Sequence, residues 1–99
     1  MYERILRQMR KAVRSGRVLF TPHARAALRD DGFKAADALN CILTGEIVED
    51  QFDLRYQHVK YVIYGDSLAE DEMGLIARWD DVDAVVIITA YRLGVEDYD

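Results

Sequence analysis

Two periods divide the chain. In the first 44 residues apolar positions recur at intervals of three and four, and from residue 46 onward they recur at two. At about 100° per residue, Tyr2, Ile5, Leu6, Met9, Ala12 and Val13 share one side of a helix, while Arg4, Arg7, Lys11 and Arg14 take the other. This spacing predicts a first helix over about 2–15, with Gly16 as its C-terminal stop. Residues 18 to 20 read as a short strand, after which Thr21 and Pro22 open a second helix. The Thr21 side chain suits an N-cap, and Pro22 at the first helical position forfeits a donor that would be unpaired there anyway. Ala24, Ala27 and Leu28 supply an apolar stripe, and Asp30-Asp31-Gly32 ends the helix as a turn. Phe33 leads into a third helix over about 34–44, with Ala35, Leu39, Ile42 and Leu43 inward, Gly45 closing it and no good capping residue at its start.

The second period predicts strands. Ile47, Val48 and Phe52 mark one; residues 58 to 64 alternate as another, with Val59, Tyr61 and Ile63 on one face and His58, Lys60, Val62 and Tyr64 on the other. Gly65-Asp66-Ser67 breaks it, and residues 73 to 79 and 84 to 92 form two more strands joined across Asp80-Asp81-Val82-Asp83. Links this short predict antiparallel neighbours. The unbroken apolar run 84 to 88 suits a central strand buried on both faces, and residues 95 to 99 read as an acidic, frayed end. The expected fold is α+β, an antiparallel sheet of four to five strands packed on the N-terminal helices, as one domain spanning 1–99.

Composition narrows this picture. The 99 residues suffice for one modest core, and a 51% hydrophobic, 31% charged balance excludes a disordered chain. No stretch is apolar enough to span a membrane and the charged, amphipathic start lacks an apolar signal core, so a cytoplasmic protein with no membrane partner is expected. Cys41 is the sole cysteine, and its neighbours Leu39, Ile42 and Leu43 mark it as a packed core thiol. The net charge of −5 argues against a simple nucleic-acid binder, because phosphate contacts dominate such affinity. Yet residues 1 to 17 hold six of the thirteen basic groups against one acid, Glu3, so positive charge is concentrated there. That cationic face suits solvent, an acidic partner or RNA.

The stretches FTPHAR at 20 to 25, LTGEIVE at 43 to 49, VIYG at 62 to 65 and VVIITAYR at 85 to 92 resemble, in order and spacing, the bacterial family catalogued as domain of unknown function 4258. That family is similar in fold to small metal-independent ribonucleases of the RelE and barnase type, many of them toxins of toxin–antitoxin pairs. The resemblance implies an RNA-related ancestry, with the helix histidine, here His23, as its most recognisable polar position. It also implies RNA or a small antitoxin protein as partner. Where the family usually carries an arginine before the third helix, this chain has Asp31, which removes a cation from any phosphate site built there.

Metal-free RNA cleavage needs a base for the 2′-hydroxyl, an acid for the departing 5′-oxygen and cations around the phosphorane. Candidate proton carriers are His23, His58 and Tyr91, since histidine titrates near neutrality and tyrosine can donate a proton or stack on a base. Arg25, Lys60, Arg78 and Arg92 are the candidate phosphate contacts. His23 and His58 lack metal-ligand spacing, so no metal and no cofactor is expected. Each candidate also has a structural reading: His23 bonding a neighbouring strand, His58 and Arg78 on solvent faces, Tyr91 covering a core edge. A non-catalytic protein-binding module that keeps the fold is the alternative function, and a homo-oligomer using the first helix or a sheet edge is the third.

Overall fold

A computed structural model of the protein describes residues 1–94; the acidic end at 95 to 99 lies outside the described residues. The elements run α1 (Glu3–Arg14), β1 (Val18–Phe20), α2 (Pro22–Asp30), α3 (Ala35–Thr44), β2 (Glu46–Asp53), β3 (His58–Asp66), β4 (Glu72–Trp79) and β5 (Val85–Arg92). The Thr21 hydroxyl oxygen accepts the Ala24 N–H at 3.0 Å, so α2 begins as its residues dictate. Gly16, at φ +74°, turns the chain out of α1. The cap of α3 comes from within the helix instead of from the residue before it: the Asp37 carboxylate accepts the Lys34 N–H at 2.8 Å.

Five strands form one sheet in the order β1-β5-β4-β3-β2. The pairs β2–β3, β3–β4 and β4–β5 are antiparallel, as their short links require, but β1 pairs parallel with β5, Leu19 standing against Val86. The sheet is therefore mixed and not purely antiparallel. Short links constrain only consecutive strands, and β1 and β5 are separated by most of the chain, so sequence proximity does not set their direction. The Thr21 hydroxyl strengthens this junction by donating to the Ile88 carbonyl at 3.0 Å.

The three described helices bury their apolar residues in one core. Leu6, Met9 and Ala12 of α1, Ala24 and Leu28 of α2, and Ala38, Cys41 and Ile42 of α3 pack with Ile47, Ile63, Met73, Leu75, Ala77, Val85, Ile87 and Ala90 of the sheet. In α3 the buried stripe is rotated from the expected one: Ala35 is exposed and Leu39 and Leu43 are half-buried, while the small residues Ala38 and Cys41 face the sheet. The reason is close approach. A Cβ on Gly65 would strike the Cys41 carbonyl and come within 2.9 Å of the Gly45 Cα, so the end of α3 lies almost against β3. Arg10 seals the same junction, donating to the Ile42 carbonyl at 3.0 Å and the Gly45 carbonyl at 2.7 Å. Among the described residues no helix is long and apolar enough to cross a membrane.

Candidate functional site

Strand alternation sends every second residue of the sheet away from the helices. From the register, this second face carries Glu46, Glu49, Gln51 and Asp53 of β2; His58, Lys60, Val62 and Tyr64 of β3; Gly74, Ile76 and Arg78 of β4; and Val86, Thr89 and Tyr91 of β5. Val62 and Val86 are only 5% and 6% exposed, yet neither joins the core that holds the helices' buried residues. No described helix contributes to a core around them.

Four of the residues singled out from the sequence fall on this face. His58 stands opposite Asp53, and Lys60 opposite Gln51. The Lys60 ammonium pairs with the Asp53 carboxylate at 2.9 Å, and this hydrogen bond holds Asp53 below the usual carboxylate range. One step beyond the Tyr61–Ala77 pair, Arg78 lies on the strand next to Lys60; it is half-buried, and its Nη1 donates to the Trp79 carbonyl at 3.1 Å. The His58 ring stacks on Tyr56, centroids 6.4 Å apart and planes at 20°. Tyr91 lies farther along the face, its ring covering Gly74 where a Cβ would meet Cε2 at 2.6 Å. Burial first, and the adjacent Tyr64 hydroxyl second, push the Tyr91 hydroxyl up to about 12, so it stays protonated near neutrality.

The candidates are not all brought together. Tyr91 shares a row with Gly74 and Tyr64, whereas His58 lies six residues up β3 from Tyr64, about 20 Å along the strand direction. His23 is exposed in the first turn of α2, in the helical layer, with no hydrogen bond to its ring among the described residues. Arg25 sits over the Phe20 ring at 5.4 Å. By register, His58, Lys60 and Arg78 are near neighbours on adjacent strands of this face, and the other candidates lie elsewhere.

Arg92 is occupied elsewhere. Its Nη2 donates to the Asp31 carbonyl at 2.8 Å, its backbone N–H donates to the Asp31 carboxylate at 2.9 Å, and its guanidinium lies 4.4 Å over the Phe33 ring and 3.3 Å from Asp71. Asp31 is thus the group that fastens Arg92 and ties the end of α2 to β5. Sequence reading missed Asp53 and Gln51 as neighbours of the group; alternation along β2 was the signal, interrupted by the bulge between Ile47 and Glu49. Among the described residues no three His, Cys, Asp or Glu side chains cluster as metal ligands.

A family model described as "Domain of unknown function (DUF4258)" matches residues 20–92, from the end of β1 to the end of β5. No curated protein and no solved structure matches the chain.

Proposed function

This chain belongs to the family described as domain of unknown function DUF4258, and from that premise we propose that it acts on RNA at the helix-free face of its sheet, in the manner of RelE- and barnase-type metal-independent ribonucleases. The observation that carries the reading is the convergence of His58, Lys60 and Arg78, with Asp53 across from His58, on a face that no described helix covers. In this reading Asp53, ionised at neutral pH, accepts the 2′-hydroxyl proton as that oxygen attacks phosphorus. His58 in its protonated form gives a proton to the departing 5′-oxygen. Lys60 and Arg78 balance the charge on the phosphorane, and Tyr64 and Tyr91 offer rings to bases farther along the strand. His23 takes no part in this chemistry.

The test is cleavage of a labelled single-stranded RNA by the purified, folded, inhibitor-free protein in the presence of chelator. His58→Ala lowers the rate by about 100-fold or more, the usual loss for a general acid, while His23→Ala leaves it within about twofold. An inert wild-type protein, or a His58→Ala variant as fast as wild type, overturns the proposal. A second reading, a non-catalytic protein-binding module, is favoured by one observation: the Lys60 charge is already neutralised by Asp53, on a chain of net charge −5. It predicts no cleavage and a stable complex with a small protein partner, such as an antitoxin, that survives purification from the native host.

A further inference from the structure

The exposed face of α1 belongs to neither the core nor the site above, and it lies outside the matched residues 20–92. Arg4, Arg7, Lys11 and Arg14 are all exposed, follow one another at intervals of three and four, and form no ion pair among the described residues. Neighbouring like charges at those spacings destabilise a helix. Arg10, by contrast, is used structurally, on the carbonyls at the end of α3. The stripe leads to a cleft of about 360 Å³ lined by Gln8, Lys11, Arg17, Trp79 and Asp83. There Arg17 is held in place by donating to the Asp83 carbonyl at 2.7 Å, beside the half-buried Trp79 ring.

We infer that the α1 stripe and the Trp79 cleft form a second nucleic-acid contact, a track for single-stranded RNA on the helical side of the sheet. Arg4, Arg7, Lys11, Arg14 and Arg17 contact successive phosphates, and Trp79 stacks a base. The helix rise sets Arg4 and Arg14 about 15 Å apart along the axis, a span that suits a run of backbone phosphates and not a single anion. A row of cations beside an aromatic platform is the arrangement that holds single strands without reading their sequence. The α1 apolar face is committed to the core through Leu6, Met9 and Ala12, which leaves this helix no surface to insert into a membrane. The inference rests on RNA being the ligand, as in the reading above, but it concerns a different face.

Trp79 is the only tryptophan of the chain, so its emission reports the cleft directly. The experiment titrates the full chain, carrying His58→Ala to keep the strand intact, with a labelled single-stranded RNA across a salt series. The five phosphate contacts of this track contribute about −3.5 to the log–log slope, about a 100-fold loss of affinity between 50 and 200 mM salt, beyond any part due to Lys60 and Arg78. Arg7→Ala/Lys11→Ala makes the slope shallower by about 1.4 and the loss about sevenfold smaller. Alanine is the best helix former, so this variant retains α1, as far-ultraviolet dichroism checks. Trp79 emission is quenched at saturation in both proteins. A slope unchanged by the double substitution, quenching that never appears, or tighter binding to duplex than to single strand with Trp79 unmoved overturns the inference. RNA cleavage by the wild-type protein without the α1-dependent slope defeats this inference alone; the slope and quenching without cleavage defeat the nuclease reading alone.

Discussion

Arg92 distinguishes a structural from a ligand-binding cation, and its replacement by alanine has a magnitude that follows from its contacts. The substitution removes a charged donor from the partly buried Asp31 carbonyl at 2.8 Å, worth about 1.5 kcal/mol at the low end for bonds to charged groups. It removes a cation 4.4 Å above Phe33, worth about 0.5–1 kcal/mol. The 3.3 Å pair with the half-exposed Asp71 adds little, because water screens it. The backbone N–H to Asp31 remains. The expected loss is about 2 kcal/mol, a fall in melting temperature of about 10 °C for a domain of this size, read by thermal unfolding at 222 nm. Arg92→Lys recovers less than half, since an ammonium has neither the planar fork nor the flat stacking surface. A melting temperature within about 2 °C of wild type, combined with a loss of RNA binding, would refute this reasoning and return Arg92 to the phosphate site.

Thr21→Ala removes both the α2 cap and the bond to the Ile88 carbonyl; a loss of about 1–2 kcal/mol in urea unfolding, largely restored by Thr21→Ser, is expected. Gly65→Ala drives a methyl into the Cys41 carbonyl and the Gly45 Cα, backbone atoms that cannot rotate away, and destabilises by about 2 kcal/mol or more, whereas Gly16→Ala meets no atom within 4 Å but strains a φ of +74°, at about 1 kcal/mol. Burial first, and Asp66 second, push the Cys41 thiol up to about 12, and Tyr91 is also pushed up to about 12. The unfolded chain therefore releases these protons at lower pH than the folded one, so the stability these two groups contribute is fully present below about 9 and is lost as pH rises toward 12. The same burial makes Cys41 inert to aromatic disulfide reagents at pH 8 until denaturant is added, and rapid labelling of the native protein would contradict it.

Elements specified by local chemistry were legible in the sequence. The amphipathic period of α1, the Thr21-Pro22 start of α2 and the alternation of β3 each depend on residues within a few positions of one another. What depended on distant contacts was not. The parallel pairing of β1 joins residues 18 to 20 to residues 85 to 87, and a three-residue strand carries no signal of its direction. The inward face of α3 was misjudged because the contact with β3 selects small residues over large ones: Ala38 and Cys41 fit where Gly45 and Gly65 nearly touch. Asp31 read as a turn residue, and its bonds to Arg92 arise only when α2 and β5 meet. For the site, alternation put His58, Lys60 and Tyr64 on one face from sequence, but the separation of Tyr91 from His58 required the strand register.

The central claim, that the helix-free face is where RNA is handled, is tested most directly by amide chemical-shift mapping. The ligand is a single-stranded RNA whose 2′-oxygens are methylated, so that no attacking hydroxyl is available. The account predicts large changes at His58, Lys60 and Arg78, with the His58 ring signals moving as well, and none at His23 or Arg25. Unmoved β3 and β4 resonances alongside shifts centred on His23 in α2 would contradict it.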